Sequence, residues 1–188
     1  MDLYLLVFGL RLAMQWVRSD YQNPLVRFAL KVTDPIVEPL RKFIPNFGKH
    51  NPAAVIIYVL LIFCLNWVLL SSICQITPDM LSMLAIAILR GIRVILSIYL
   101  FLIFAYVILS WVSVGSNVGF NPSLINLSNL VSGLVYPILI PIRKFIPPIG
   151  GLDLSPIAVI IIIGALRETT MSFAIQLSAI GCPLRLFI

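Results

Sequence analysis

The sequence contains Pro35-Ile-Val-Glu-Pro39-Leu-Arg41-Lys42-Phe43-Ile44-Pro45 and, further along, Pro137-Ile-Leu-Ile-Pro141-Ile-Arg143-Lys144-Phe145-Ile146-Pro147. The two stretches share three prolines and the run Arg-Lys-Phe-Ile at the same spacing. Agreement at so many positions indicates an internal repeat, and a repeat constrains the architecture more strongly than any local pattern.

The matches continue on both sides of these prolines. A tryptophan and an Asn-Pro pair precede each copy, and a polar residue with a proline follows it. These residues are Trp16, Asn23-Pro24 and Asn51-Pro52 in the first half, and Trp111, Asn121-Pro122 and Ser155-Pro156 in the second. A polar residue before a proline is typical of a helix N-cap followed by proline in the first turn. Asn51-Pro52 and Ser155-Pro156 are therefore predicted to begin helices.

The composition indicates a membrane protein. Of the 188 residues, 61% are hydrophobic and only 11% are charged, and the mean hydropathy is +1.08. A soluble domain carries about 25% charged residues. A chain of this length cannot bury so much apolar surface in one core, so lipid is the expected solvent.

Four apolar stretches are candidates for transmembrane helices, each of which needs about 20 residues to cross a bilayer. They lie near residues 3–17, 53–76, 94–112 and 154–176. We predict an all-α membrane protein with about four transmembrane helices, in two parallel repeats of span, interfacial helix and span.

The predicted repeats cover residues 1–77 and 94–188. Residues 78–93 connect them and are expected to form a short interfacial helix, with Met80, Leu84 and Ile88 on its apolar side.

An amphipathic helix is predicted between the two spans of the first half. Its apolar residues follow helical spacing and its charged residues occupy the other face. The apolar set is Leu25, Phe28, Ala29, Val32 and Ile36, and the charged set is Arg27, Lys31, Asp34 and Glu38. Such a helix is too charged to cross lipid and is expected in the interface, where Pro35 and Pro39 break or kink it. The equivalent residues 122–142, up to Ile142, carry no charge, and either lie flat or enter the membrane as a re-entrant segment.

The repeat also predicts the topology. Each unit crosses the membrane twice, so both units keep one orientation and are related by an axis along the membrane normal. The two Arg-Lys pairs then lie on one side, together with most of the loop cations. By the positive-inside rule we expect these basic loops in the cytoplasm and both termini outside.

Charged residues interrupt two of the apolar stretches. Arg11 lies in the first, and Arg167-Glu168 lies in the fourth. We expect both sites to reach the interface by snorkelling, with the end of the fourth helix at the membrane surface. The alternative is that either site faces a polar interior, where an intramembrane charge is functional.

The second Pro-rich stretch resembles the signature of the YggT family of bacteria and plastids. The residues that carry the resemblance are Pro137, Pro141, Arg143, Lys144, Pro147, Pro148, Gly150, Gly151, Asp153, Ser155 and Pro156. In the first half, Arg11, Trp16, Asn23-Pro24 and the shorter Pro35–Pro45 copy are also similar to the family. This copy departs from the signature after Pro45, where Gly48-Lys49-His50-Asn51-Pro52 replaces the Gly-Gly-x-Asp-x-Ser-Pro run.

The resemblance implies a cellular role but no catalysed reaction. Members of the family have no established enzymatic activity. Bacterial members are linked to osmotic tolerance, potassium uptake and division-gene neighbourhoods, and plastid members to haem attachment in cytochrome b6f and to nucleoid distribution. This spread implies an assembly or organising factor, here expected in the bacterial inner membrane.

The basic pairs Arg41-Lys42 and Arg143-Lys144 are the first candidate site. They are expected to contact anionic lipid head groups, each cation contributing about 1 kcal/mol near the surface. The alternative is a shared cationic rim that binds an acidic membrane-protein partner or a second copy of the chain.

The turn before the fourth span is the second candidate site. Gly150 and Gly151 suit unusual backbone angles, while Asp153 or Ser155 can cap the helix that contains Pro156. We assign the same structural role to Asn51 and Pro52. A cation site at Asp153 is the weaker alternative, because one carboxylate makes a poor metal site.

Other chemistries lack their sequence signatures. We find no nucleophile elbow, P-loop, dinucleotide turn or metalloprotease pair, so we expect no enzyme. His50 is the single histidine, and Cys64, Cys74 and Cys182 match no ligand spacing, so no metal or cofactor is expected. The cations lie in short loops between apolar runs, which favours lipid over nucleic acid as their partner.

Three functions remain open from the sequence. The first is an integral membrane scaffold. The second is a small oligomeric channel or transporter that affects potassium uptake, although pore-lining candidates are few: Asn66, Ser71, Ser72, Ser97 and Ser110. Residues 122–142, with Asn126 and Asn129, could also line such a pore. The third and weakest is nonenzymatic handling of haem.

Overall fold

The described residues of the computed structural model are 2–17, 24–42, 52–73, 79–115, 122–146 and 153–178. They form six α-helices, and no strand occurs among them. The helices are α1 (Asp2–Val17), α2 (Pro24–Arg41), α3 (Pro52–Ile73), α4 (Met80–Gly115), α5 (Pro122–Phe145) and α6 (Ser155–Ser178). For this part of the chain, the prediction of an all-α protein is confirmed.

The length of α4 differs from the sequence expectation. We predicted an interfacial helix at 78–93 and a separate span at 94–112, but Met80–Gly115 is one uninterrupted helix of 36 residues. At 1.5 Å per residue it is about 54 Å long, more than the ~30 Å of a bilayer core. No proline occurs within it, so the backbone offers no reason to end a helix between the connector and the span.

The paired prolines do not end helices. Pro35 and Pro39 lie inside α2, and Pro137 and Pro141 lie inside α5. Of the two outcomes expected at Pro35 and Pro39, a break or a kink, the break does not occur. All four prolines are exposed, so the carbonyls that lose a partner at each ring lie on an outer face of the helix.

The helices pack around two apolar cores that share α1, α2 and α4. One core joins Phe8 of α1, Val37 of α2, Ile57 of α3 and Ala87 of α4. The other joins α4, α5 and α6 and includes Met14 of α1 with Val26 and Ala29 of α2. In lipid such contacts stabilise by van der Waals packing, and α4 connects the two cores.

Three described helical segments are long and apolar enough to cross a membrane, namely Met80–Val112, Leu124–Phe145 and Ser155–Gln176. Among the described residues, Tyr4–Gln15 and Pro52–Val68 are shorter apolar stretches. This set adds α5 to the third and fourth of the expected spans, and α3, the helix of the second expected span, runs for 22 residues. α6 also continues unbroken past Arg167 and Glu168 to Ser178.

Candidate functional site

A buried ion pair joins α1 to α2. Arg11 is 3% exposed, and its Nη2 lies 2.7 Å from Asp34 Oδ1. Its Nη1 donates a hydrogen bond to Thr33 Oγ1, and the Thr33 hydroxyl is 2.6 Å from the Ala29 carbonyl, to which it donates in turn. A charge buried this deeply needs a counter-charge and hydrogen bonds to offset its lost hydration. Two consecutive residues of α2 supply both.

This geometry corrects the expectation that Arg11 snorkels on its own. Its guanidinium is enclosed by protein and held by α2, a helix predicted to be interfacial. α2 is therefore fixed to the bundle by a polar contact as well as by its buried apolar residues Val26, Ala29 and Val37. Of the two readings weighed for Arg11, the polar interior is the one that the structure supports.

A second cluster of polar and aromatic side chains joins α4, α5 and the start of α6 around Arg143. Arg143 Nε and Nη2 lie 2.9 and 2.6 Å from Asp153 Oδ2. Nη2 also donates to the Tyr106 hydroxyl at 3.2 Å. The guanidinium lies over the Tyr136 ring, 5.4 Å from its centroid, where the π-face attracts a cation. Arg143 therefore bridges three helical elements within one chain.

Asp153 also organises the N-terminus of α6. Its Oδ1 accepts a hydrogen bond from the Ser155 backbone N–H at 2.9 Å. The next carbonyl, that of Leu154, accepts from the N–H groups of Ile157 and Ala158. Burial raises the pKa of Asp153, but the hydrogen bonds from Ser155 and Arg143 outweigh it, so this pKa lies below its ordinary value. The carboxylate thus satisfies an orphan N–H and neutralises Arg143 at once.

The predicted site residues lie in different surroundings. Arg143 is about one-third exposed and turned towards Asp153, whereas Lys144 and Lys42 are exposed. Arg41 is the last residue of α2, and Pro52 is the first residue of α3. Ser155 and Pro156 are buried at the start of α6. The remaining predicted site residues, Gly150, Gly151 and Asn51, lie outside the described residues, as do His50, Cys74 and Cys182.

The polar residues considered for a pore are mostly engaged within the chain. Asn66 is buried, and its Oδ1 accepts a hydrogen bond from Arg90 Nη1. The hydroxyls of Ser71 and Ser97 donate to carbonyls of their own helices, those of Val68 and Arg93. Asn126 and Asn129 of α5 have exposed side chains. The side chain of Ser72 lies outside the described set.

The charged face of α2 borders a shallow groove of about 620 Å³, lined by Arg27, Leu30, Lys31, Asp34, Pro35 and Glu38. Arg27, Lys31 and Glu38 are exposed there, as are the apolar residues Phe28 and Ile36. α2 therefore presents a mixed charged and apolar surface away from the core.

Sequence reasoning missed the partners of Arg11 and Arg143. Asp34 and Tyr136 each stand immediately before the first proline of their copy of the repeat, while Arg11 and Tyr106 each stand five residues before the tryptophan. In the structure Arg11 pairs with Asp34, and the rings of Tyr106 and Tyr136 lie 6.1 Å apart in an edge-on contact. Aligning the two similar stretches residue by residue would have shown that these four residues occupy matching positions, but the contacts themselves come from the structure.

Comparison with known proteins gives a consistent family. The sequence profile described as CCB3/YggT matches residues 1–73 and 85–174. An uncharacterized protein of Pseudomonas aeruginosa is 36% identical over 157 residues, which cover 83% of this chain and 76% of the relative. The uncharacterized protein YggT of Escherichia coli K12 is 32% identical over 166 residues, covering 86% and 80%. An uncharacterized protein of Vibrio alginolyticus is 34% identical over 163 residues, covering 85% and 83%. No solved structure matches the chain.

Proposed function

Because the chain belongs to the CCB3/YggT family, we propose that it is an integral membrane scaffold, an assembly or organising factor of the bacterial inner membrane that contributes to tolerance of osmotic stress. It carries no catalytic role in this proposal. The scaffold holds its partner through the basic ends of α2 and α5, defined as Arg41-Lys42 and Arg143-Lys144.

The observation that carries this proposal is that some of the charged residues are paired within the protein while others are exposed. Arg11 and Arg143 are engaged inside the bundle by Asp34 and Asp153. Lys42 and Lys144 instead are exposed beside the last turns of α2 and α5. Charges that fix helices to one another make a rigid frame, and exposed charges at helix ends make a surface for contact.

The outer surface of the bundle supports insertion in lipid. Large apolar side chains are exposed along α4 and α6, among them Phe101, Phe104, Trp111, Ile157 and Ile161. Contiguous apolar surface of this kind needs a membrane or a partner to cover it. Trp111 at the end of the apolar run suits a bilayer interface.

Pairing at equivalent positions supports the two-repeat architecture as part of the proposal. Arg11–Asp34 fixes α1 to α2, and Tyr106–Tyr136 fixes α4 to α5. Two parallel units place the two basic ends on one side, with basic loops in the cytoplasm and both termini outside. We propose that the chain crosses the membrane four times. In this arrangement α5 is the interfacial helix of the second unit, as α2 is of the first, so Leu124–Phe145 packs on the bundle and is not a further span.

Anionic lipid is the alternative ligand of the same basic ends, and a photo-crosslinking experiment separates the two. A photoreactive residue replaces Lys42 or Lys144 in cells, and the matched control replaces Phe101, which is 70% exposed on α4. We expect a discrete protein adduct at positions 42 and 144, and none at 101. Lipid adducts alone at all three positions would reject the scaffold.

Charge neutralisation completes this test. The crosslink at position 42 is measured again in a Lys144→Gln variant. The matched control is Lys31→Gln, which removes an exposed cation elsewhere on α2. We expect Lys144→Gln to weaken the protein adduct several-fold and Lys31→Gln to leave it unchanged. Equal effects of both substitutions would mean that general charge, rather than the basic ends, attracts the partner.

An oligomeric potassium channel or transporter is the second candidate, because Asn126 and Asn129 are exposed on the part of α5 that carries no charge. Potassium flux into proteoliposomes containing only the purified protein distinguishes it from the scaffold. We expect no flux above that of empty liposomes. Reproducible flux that disappears with Asn126→Leu and Asn129→Leu would replace the scaffold by the channel.

A further inference from the structure

A third polar cluster lies where α3, α4 and α6 meet, and neither the basic ends nor the two ion pairs account for it. Arg90 and Arg93 stand one turn apart on α4. Arg93 is within electrostatic range of Arg90 and of Arg167 and Glu168 on α6. Arg90 reaches α3 through the buried carboxamide of Asn66. We call this group, with Met171, the arginine cluster.

The arginine cluster lies far from Asp153. α4 and α6 run in opposite directions, because Arg93 contacts Met171 while Tyr106 is linked to Asp153 through Arg143. Thirteen residues of α4 separate Arg93 from Tyr106, which corresponds to about 20 Å. Arg93 immediately precedes the apolar run 94–112, and Arg167 immediately follows the apolar residues 154–166. α6 therefore changes from apolar to charged at this level, as at the start of the head-group region, while Arg90 and Arg93 separate two apolar stretches of α4.

Three donors of the arginine cluster meet a weak acceptor or none among the described residues. Arg93 Nη1 donates to the Met171 sulfur at 2.9 Å, and a thioether is a weak acceptor for a guanidinium. The Nε of Arg167 and the Nδ2 of Asn66 are buried and make no hydrogen bond within the described part of the protein. Asn66 is 3% exposed. A buried amide donor normally has a partner, so these groups point to an oxygen-rich ligand.

The charges lead to the same conclusion. Two further guanidinium groups, those of Arg90 and Arg167, and the carboxylate of Glu168 lie within electrostatic range of Arg93. Like charges held together at the edge of a hydrocarbon layer are costly unless an anion joins them. The guanidinium fork fits phosphate oxygens in a bidentate manner.

We infer that Arg90, Arg93 and Arg167, together with the Asn66 amide, form a binding site for a phosphate group. The phosphate belongs either to the head group of an anionic phospholipid or to free phosphate. The position of the cluster at the end of two apolar runs favours the lipid, since its phosphate lies at that depth while its acyl chains cover the exposed apolar faces of α4 and α6.

Lipid binding to the purified full-length protein tests this inference. Native mass spectrometry and titration compare phosphatidylglycerol with phosphatidylcholine in nanodiscs, using the wild type, Arg93→Gln, Arg167→Gln and the control Lys31→Gln. We expect the wild type to retain phosphatidylglycerol preferentially, and each arginine substitution to weaken this binding about fivefold. Lys31→Gln leaves it unchanged. If the lipid is the ligand, millimolar inorganic phosphate leaves phosphatidylglycerol binding unchanged. If free phosphate is the ligand, inorganic phosphate displaces the lipid.

Two outcomes would overturn the site. One is undiminished preference for phosphatidylglycerol in a folded Arg93→Gln/Arg167→Gln protein, with no binding of inorganic phosphate. The other is equal weakening by Lys31→Gln. If the glutamine variants fail to fold, Arg93→Lys and Arg167→Lys keep the charge but remove the fork, and we expect them to bind phosphatidylglycerol more weakly than the wild type. Wild-type binding by both folded lysine variants would also refute the site.

Discussion

Arg11 of α1 and Asp34 of α2 approach to 2.7 Å, with the guanidinium almost fully buried and the carboxylate about one-third exposed. The pair is asymmetric, because water reaches one partner and not the other. Removing the carboxylate leaves a buried cation that cannot recover its hydration, whereas removing the cation leaves a carboxylate that can.

The first prediction concerns this asymmetry and the repeat. Asp34→Ala is expected to lower the free energy of unfolding by about 2 kcal/mol, reduced from the usual cost of a broken buried pair by the exposure of Asp34. Arg11→Tyr with Asp34→Tyr copies the Tyr106–Tyr136 pair of the second half, and is expected to be more stable than either single tyrosine variant. Thermal unfolding in detergent measures both effects. A double variant less stable than both single variants would contradict the equivalence of the two halves.

The second prediction concerns pH and Asp153. Its pKa is lower in the folded protein than its ordinary value of 3.8. The stabilisation from the ionised carboxylate is therefore complete above that ordinary value and is lost as the pH falls through the folded pKa. Thermal unfolding between pH 6 and pH 2.5 is expected to show this loss in the wild type and less of it in Asp153→Asn. Asp79→Asn, at an exposed carboxylate before α4, serves as the control and should keep the wild-type slope.

The third prediction concerns the close packing of α1. A Cβ at Gly9 would lie 2.7 Å from Ile98 Cδ1 and 3.5 Å from the Tyr58 hydroxyl, whereas a Cβ at Gly164 meets nothing within 4 Å. Gly9→Leu is expected to lower the free energy of unfolding by about 1–3 kcal/mol through overpacking. Gly164→Leu should leave stability unchanged or raise it slightly, since leucine favours a helix more than glycine. Equal effects would mean that α1 is free to move away from α3 and α4.

Periodicity and composition predicted most of the helices, and the resemblance of the second Pro-rich stretch to a known signature predicted the family. The N-terminus of α3 at Pro52 and that of α6 at Ser155 follow from local capping chemistry, which depends on a few adjacent residues. The continuity of α4 did not follow, because a polar interruption at Arg90 and Arg93 resembles the end of a span in sequence. In the structure α3 and α6 pack over these arginines. Such contacts between helices cannot be predicted from the pattern of adjacent residues.

The same limit applies to the candidate sites. Arg143 and Lys144 are neighbours with equal charge, and sequence reasoning treated them alike. A helix turns about 100° per residue, so one side chain is directed towards Asp153 and the other is exposed. Arg143 also depends on Tyr106, far away in sequence, whose position is set by how α4 packs against α5.

The length of α4 has a mechanical consequence. This single helix packs against α1 and α3 on one side of the repeat and against α5 and α6 on the other. Gly91, its one interior glycine, lies beneath Tyr58 and Ile62, whose carbons would meet an added Cβ at 3.3 Å. A rocking-bundle transporter alternates access by rotating one half against the other, and here that rotation would have to bend a continuous rod. Close packing at Gly91 resists such a bend, so the continuous α4 favours a fixed arrangement of the helices on its two sides.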